Sequence, residues 1–422
     1  MSLDFIYTLF RNIQEIVFLY PFAMSWVWMA GGLLHYFTRE KKRPGPEIEP
    51  VLSYSPMISV LVPCHNESGQ IEETIAELDK TRYPRDLFEV IAINDGSTDD
   101  TAELLDNLAE RFSFLKVVHL AENKGKALAL KSGALLASGE FLICIDGDAL
   151  LEPNAVAWLV ERLQLRPKVG AVTGNPRIRN RTTLLGKLQV GEFTTIIGLI
   201  KRTQMNYGKI FTISGVVAGF RKKALQEVGY WSPEMITDDI DITWKLQKNG
   251  WFVLYEPNGI SWILMPETLK GLWRQRLRWA QGAAECALKH GLSFFKKKSW
   301  RMLPILLEYF FTIVWAHAVF ITMLGTFIQA ASQQSIELGI QGLMPAYWGF
   351  LLGITFFLQS FVSFHLERRY EPCMFHYFAW MIWYPVAYWA IMAITACVGW
   401  YKALLFGRKT LATWVSPDRG IR

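Results

Sequence analysis

The chain has 422 residues, 51% of them hydrophobic and 14% aromatic, with a formal net charge of +6. Its five cysteines (Cys64, Cys144, Cys286, Cys373, Cys397) form no C-x-x-C pair, which leaves a disulfide framework or a zinc site unsupported. The mean hydropathy of +0.17 is high for a soluble enzyme, and the apolar residues gather in four blocks.

The first block, Ile16 to Phe37, holds no Asp, Glu, Lys or Arg. A helix crosses a bilayer with about 20 apolar residues, and this run is too long for a signal-peptide core and lacks a small-residue cleavage site. Arg39, Lys41, Lys42 and Arg43 follow it, and Lys296, Lys297, Lys298 and Arg301 precede the second block. Basic flanks on both sides place residues 38–301 in the cytoplasm. There the lysine run anchors the chain at a membrane, which is a better use for it than nucleic-acid binding.

Four prolines in residues 44–56 read as a linker. Apolar runs then alternate with helical spacing. The predicted strands are Ile58–Val62 (ending at Pro63), Phe88–Ile93, Leu115–Leu120 and Phe141–Ile145. The predicted helices between them are Glu67–Lys80, Thr98–Arg111 and Gly125–Ala137. This alternation predicts an α/β domain with a parallel sheet. Ligands bind such sheets at the carboxyl ends of the strands. Pro63-Cys64-His65-Asn66-Glu67, Asn94-Asp95-Gly96-Ser97 and Asp146-Gly147-Asp148 stand at those ends.

Asp146 and Asp148, two apart in an extended chain, point to the same side. Their repulsion is relieved by a divalent cation, and oxygen ligands suit Mg2+ or Mn2+. Gly147 allows close approach of a phosphate. Neither a G-x-x-x-x-G-K-[ST] nor a G-x-G-x-x-G motif is present, so ATPase and dinucleotide readings lack their signatures. Thr237-Asp238-Asp239-Ile240-Asp241 is a second acidic cluster, either functional or favouring a helix N-terminus. In Gln275-Arg276-Leu277-Arg278-Trp279, Gln275 and Arg278 share a helix face with Trp279 beside them. Residues 268–292 also suit an amphipathic helix on a membrane surface.

The remaining charge-free blocks are Tyr309–Ile336, Leu338–His365 and Met374–Tyr401. The loop at 331–345, with Glu337 its one charge, is expected outside; the loop with Arg368 and Arg369 is expected inside. Counting four spans puts the C-terminus outside, whereas Lys402, Arg408 and Lys409 favour the inside and Pro385 breaks block four. The expected divisions are 1–43 (membrane helix and basic flank), 44–266 (cytoplasmic domain), 267–301 (interface helices) and 302–422 (membrane helices and tail).

Together these residues resemble the processive family 2 glycosyltransferases, such as cellulose, chitin and hyaluronan synthases. That pattern runs Asp, D-x-D, then Asp followed by 35 residues and Q-x-x-R-W. Here Asp95 and Asp146-Gly147-Asp148 precede Asp239, and residues 240–274 supply the 35. Asp238 and Asp241 miss that spacing. The stretches Ile145–Leu150, Val172–Arg177, Trp262–Thr268 and Trp414–Gly420 look like the bacterial poly-β-1,6-N-acetylglucosamine synthases. Thr237-Asp238-Asp239 replaces the usual Thr-Glu-Asp, and an extra N-terminal helix of some members has no counterpart ahead of block one.

The resemblance implies a cytoplasmic glycosyltransferase-A domain, with a Rossmann-like and mostly parallel sheet, joined to transmembrane helices in a bacterial inner membrane. It implies a UDP-N-acetylglucosamine donor, a β-linked polysaccharide extended processively with inversion and passed across the bilayer, and biofilm exopolysaccharide as the product. Asp239 would be the base and Asp148, with Asp146, the metal site for Mg2+ or Mn2+. Pro63, Glu67 and Asp95 would hold uridine, Asp146 would stand near the ribose, and Gln275 and Arg278 would contact the diphosphate. Lys126 is either a donor contact or a solvated helix start. Ser214, Gly215 and Trp279 would line the acceptor site. A small membrane accessory subunit and cyclic di-GMP are implied by resemblance alone. The alternatives are synthases of hyaluronan, chitin or cellulose type, a non-catalytic channel subunit, and a non-processive transferase loading a lipid carrier. Intact carboxylates disfavour the channel, and Gln275, Arg278 and Trp279 disfavour the lipid-carrier enzyme.

Overall fold

The computed structural model describes residues 3–295, 299–331, 346–406 and 412. Glu337, Arg408, Lys409, the Lys296–Lys298 run and the Trp414–Gly420 stretch lie outside the described residues.

Helix α1 (Leu3–His35) carries the first apolar block and ends in a π turn, Tyr36–Glu40. Next come β1 (Ile58–Cys64), α2 (Ile71–Asp79), β2 (Phe88–Asp95), α3 (Thr101–Arg111), β3 (Leu115–Leu120), α4 (Lys126–Leu136) and β4 (Phe141–Ile145). The second half of the domain is β5 (Leu150–Leu151), α5 (Ala155–Gln164), β6 (Val169–Ile178), α6 (Leu184–Glu192), α7 (Leu199–Asn206), β7 (Val217–Arg221), α8 (Lys222–Val228), α9 (Asp238–Lys248) and β8 (Phe252–Ile263). Helices α10 (Leu269–His290), α11 (Leu303–Ala331), α12 (Ala346–Glu367) and α13 (Trp389–Leu405) complete the chain.

The eight strands form one mixed sheet in the order β3-β2-β1-β4-β7-β6-β8-β5. Its first four strands are parallel, with Ile58 opposite both Phe88 and Phe141. Strands β1, β2 and β4 are buried throughout because helices cover both faces, whereas β3, at the edge, buries only Leu115. Along β1, Ile58, Val60 and Val62 pack with α2 and α3 (Ile75, Leu105), while Leu61 points to the other face with Leu130 and Ala134 of α4. The chain steps outward from β1 to β2 and β3, then jumps back to β4 on the far side of β1. That reversal opens a crevice beyond the carboxyl ends of β1 and β4.

The four predicted strands and the helices between them are present. The first helix starts at Ile71 rather than Glu67, because residues 65–70 form an interlocked loop in which Asn66 adopts φ 56. Among the described residues three segments are apolar and long enough to cross a bilayer: Asn12–Glu40, Trp300–Ile328 and Tyr347–Glu367. Block four is not one continuous α-helix. It divides into a 3-10 segment (Pro372–Trp383), a π turn (Tyr384–Tyr388) containing Pro385, and α13 of 17 residues. Pro385 has no N–H to continue an α-helical ladder, and the 17 residues of α13 stand at the short end of the range that crosses a bilayer.

Helix α10 is held tightly on two sides. A Cβ on Gly282 would stand 2.3 Å from Thr237 Cγ2, and one on Gly399 of α13 would stand 2.7 Å from the Gln281 nitrogen. Buried ion pairs tie the sheet domain to the long apolar helices. Arg202 of α7 bonds Glu40 (2.8 and 2.9 Å) and also Glu367 at the end of α12, which in turn pairs with Arg177 of β6.

Candidate active site

The loops after β1, β2 and β4 and the turn before α4 meet at the crevice. Asp95, at the end of β2, is fully buried, and its carboxylate accepts the backbone N–H groups of Lys124 (2.9 Å) and Gly125 (2.8 Å). The Asp95 carbonyl bonds His65 Nδ1 at 2.8 Å. Two glycines are required by this knot. Gly125 has φ +90, and Gly96 has φ +60 with Asn123 N only 2.6 Å from where a Cβ would sit. The Asp95 carboxylate thereby fixes the start of α4, and with it Lys126.

Lys126 is the centre of the cluster. Its ammonium group pairs with Asp146 and donates to the Gly215 carbonyl at 3.0 Å. Gly215 arrives there because β7 runs antiparallel to β4: Val217 lies opposite Ile145, so β7 begins where β4 ends. Asp239, at the start of α9, reaches the same point, its Oδ2 lying 3.6 Å from the Cβ position of Gly215. Burial works against a charge on Lys126, but the carboxylates of Asp146, Asp238 and Asp239 outweigh it and hold its proton more firmly than usual. Burial and the neighbouring Asp238 carboxylate raise Asp239 to about 6. Burial and Asp146 raise Asp238, although Lys126 opposes this. Three carboxylates thus share one ammonium, an excess of negative charge facing the crevice.

The acidic cluster at α9 divides by function. Asp241 is fully buried and turned away, bonding His290 Nε2 (2.7 Å) and Lys289 Nζ (3.1 Å) at the far end of α10. Its role is to fasten two helices. Asp238 and Asp239 are half-buried and face Lys126.

Asp148 is buried at 2% exposure, whereas Asp146 is half-buried. A Cβ on Gly147 would meet Glu67 Cγ at 3.1 Å, and the Gly147 carbonyl accepts from Thr74 Oγ1 at 2.8 Å. The β1 and β4 loops are therefore in contact, with Pro63 and Glu67 both buried beneath the crevice. Among the described residues no group of three or more His, Cys, Asp or Glu side chains has metal-ligating geometry.

On α10, Gln275 is buried near Met265, and its Oε1 has no hydrogen-bond partner among the described residues. Arg278 is exposed. Trp279 is half-buried, with the Arg276 guanidinium 4.2 Å from its ring centroid. Arg276 is in turn fixed by Glu192 (2.5 Å) and Tyr388 (2.8 Å), with Tyr388 donating to Glu192 at 2.7 Å.

The family described as "Glycosyltransferase like family 2" matches residues 56–282, more than half of the chain. The chain belongs to this family. As a family 2 glycosyltransferase it is similar throughout its length to staphylococcal proteins. It is 38% identical over 406 residues to a Staphylococcus aureus (strain MSSA476) protein named poly-beta-1,6-N-acetyl-D-glucosamine synthase, covering 95% of this chain and 97% of that one. It is 38% identical over 412 residues to the protein of the same name from Staphylococcus epidermidis, covering 97% and 99%. Among solved structures, the mannosyltransferase PcManGT from Pyrobaculum calidifontis, in complex with GDP-Man and Mn2+, shares the fold. The match has a TM-score of 0.63 and 22% identity, over 94% of this chain and all of that one.

The crevice brings Asp95, Lys126, Asp146, Gly215 and Asp239 together. Three participants escape sequence reasoning. Asp238 escapes because the 35-residue interval selects its neighbour. Lys201 of α7 is buried under Ser214, donating to its hydroxyl (2.6 Å) and to that of Thr173 (3.0 Å). Desolvation lowers it to about 7, although Asp239 opposes the shift. Glu192 supports Trp279 through Arg276. The contacts of Lys201 and Glu192 join segments distant in sequence, with no local spacing to reveal them.

Proposed function

We propose that the protein is a processive, inverting transferase that polymerises N-acetylglucosamine from UDP-N-acetylglucosamine into β-1,6-linked poly-N-acetylglucosamine, at a bacterial cytoplasmic membrane. The observation that carries this reading is the meeting of Asp239 with Gly215, Lys126 and Asp146 at the switch point of the sheet, in a chain alike end to end with the staphylococcal synthases.

The donor nucleotide lies over the β1 and β2 loops, with Pro63, Glu67 and Asp95 beneath it. Gln275 and Arg278 approach its diphosphate from α10; a guanidinium suits phosphate oxygens, and the Gln275 side-chain amide has N–H groups that donate to them. The acceptor sugar rests on the Ser214–Gly215 segment and on Trp279, whose ring is held rigid by Arg276. Asp239 takes the proton from the acceptor 6-hydroxyl. The hydroxyl oxygen forms a bond to the anomeric carbon from the side opposite the diphosphate, and the anomeric carbon–oxygen bond breaks with its electron pair leaving on the diphosphate. An α-linked donor therefore yields a β-linked product. A carboxylate raised toward neutrality is both ionised at pH 7 and basic enough for this task. Lys126 sits where negative charge develops.

The excess of carboxylate over ammonium fits a divalent cation. Asp148 and Asp146 would hold Mg2+ or Mn2+, since such ions are commonly bound by one or two carboxylates with substrate phosphates completing the shell. When bound, the ion neutralises charge on the departing diphosphate. Passage of the polymer through the membrane helices, an accessory subunit and activation by cyclic di-GMP accord with the resemblance to processive synthases.

Purified protein mixed singly with UDP-N-acetylglucosamine, UDP-glucose, UDP-glucuronate and GDP-mannose should release nucleoside diphosphate quickly only from the first. Equal or faster release from another donor would overturn the assignment of the sugar.

A further inference from the structure

A cavity of about 510 Å3 opens beside the ends of two of the three membrane-length helices, lined by Tyr36, Lys41, His365, Arg368, Arg369 and Pro372. Tyr36 and Lys41 flank the end of the first span, which closes at Glu40; His365, Arg368 and Arg369 flank the end of the third, which closes at Glu367. The volume lies within the roughly 300–1,000 Å3 of small-molecule sites. Three residues of the wall carry full positive charge and none carries a carboxylate.

The nearest acids do not neutralise them. Glu40 and Glu367 are 2% and 1% exposed and are committed inward to Arg202 and Arg177. Arg369 is held at the wall by donating to the carbonyls of Glu40 (3.1 Å) and Arg43. Lys41 and Arg368 are exposed, and neither has a carboxylate partner among the described residues. The site thus offers two exposed cations beside a fixed one.

Apolar surface adjoins the cations. The Lys41 ammonium lies 5.4 Å from the ring centroid of Phe37, and the His365 ring stacks on Phe361 at 6.4 Å. Phe37 and Phe361 are 58% and 50% exposed, and Leu34 continues that surface along α1. A soluble phosphate compound has no use for these faces, whereas acyl chains do.

We propose that this cavity binds the phosphate headgroup of an anionic membrane lipid whose acyl chains lie against Leu34, Phe37 and Phe361. The proposal rests on the three apolar helices being membrane spans. Basic pockets between membrane helices on the cytoplasmic side recognise anionic headgroups, and the orientation expected from the flanking charges places this cavity on that side. Because the cavity lies against the Glu40–Arg202–Glu367 network, a bound headgroup would brace the joint between the sheet domain and the spans.

The test uses the full chain purified in neutral detergent, with native mass spectrometry after adding phosphatidylglycerol or phosphatidylcholine at equal mole ratio. Phosphatidylglycerol should be retained at one per chain at least tenfold better than phosphatidylcholine. The double substitution Lys41→Gln, Arg368→Gln removes two exposed cations and no buried contact. At roughly fivefold per cation near a membrane surface, it should weaken retention on the order of 20–30-fold while leaving the melting temperature unchanged. Equal retention of the two lipids, or an unaffected variant, overturns the proposal. Glycerol 3-phosphate is the arm without chains: at millimolar concentration it should neither be retained nor displace phosphatidylglycerol, and equal competition by it would assign the site to soluble phosphates instead. Alkaline carbonate extraction separates the underlying reading. A chain released from membranes overturns the spans and the lipid site together. A chain that stays while the two lipids bind alike overturns the headgroup site alone.

Discussion

Replacing Asp239 by Asn removes one of three carboxylates gathered around Lys126 and changes almost nothing in shape. Burial and Asp238 raise Asp239 to about 6, above the ordinary Asp value of 3.8. A carboxyl whose folded-state affinity for a proton is raised contributes stability when protonated, fully below pH 3.8, and loses that contribution as pH rises through 6. At pH 7.5 the wild-type chain therefore bears an electrostatic cost that Asn does not. A rise of that size is equivalent to about 3 kcal/mol at most, and partial access to the crevice screens this to on the order of 1–2 kcal/mol. Asp239→Asn should melt several degrees higher than wild type at pH 7.5, with the gain gone at pH 4. The same substitution removes the base, so sugar transfer should fall by about 10²–10⁴-fold while UDP-sugar binding persists. The assays are melting by intrinsic fluorescence across pH 4–8 and incorporation of radiolabelled sugar. A variant that is less stable at pH 7.5, or that still makes polymer at the wild-type rate, would refute the reasoning.

Wild-type transfer should rise about tenfold between pH 5 and pH 7, tracking ionisation of Asp239, and a flat profile over that interval would count against its role as base. Lys126→Gln leaves the carboxylates without their ammonium, so the acidic limb of that profile should move to higher pH; an unmoved limb would detach Lys126 from Asp239. Arg276→Leu strands Glu192 in the buried cluster and should cost about 3–5 kcal/mol, read as a large loss of thermal stability, whereas Arg278→Leu, at an exposed site, should spare stability and reduce donor affinity. Excess EDTA should stop synthesis, with Mg2+ or Mn2+ restoring it; undiminished synthesis in EDTA would dismiss the Asp148 metal site.

Much of the α/β half is legible because its signals are local. The strands β1, β2 and β4 are apolar runs of the length buried parallel strands require, and the acidic residues at or just after their ends mark the ligand edge whatever the later topology. The 35-residue interval singles out Asp239, and Asp241, two residues further, proves to be a fastener to His290. What escapes depends on three dimensions. The antiparallel return of β7 carries Gly215 to Lys126, and no spacing between residues 126 and 215 records it. Lys201 beneath Ser214 and Glu192 behind Arg276 are ordinary helix residues until α7 and α6 dock. The break in block four is legible, because Pro385 lacks the N–H that an α-helical ladder needs, but the 3-10 path before it and the stacking of Tyr384 on Phe356 at 5.6 Å depend on how α12 docks.

The most direct measurement of the central claim is the linkage of the product. Membranes holding the protein, supplied with UDP-N-acetylglucosamine radiolabelled in the sugar, should form a high-molecular-weight polymer that a β-1,6-specific N-acetylglucosaminidase degrades and chitinase does not, and membranes holding Asp239→Asn should form less by about a hundredfold or more. A polymer cut by chitinase or hyaluronidase, or label transferred only as a single sugar to lipid, would contradict the account.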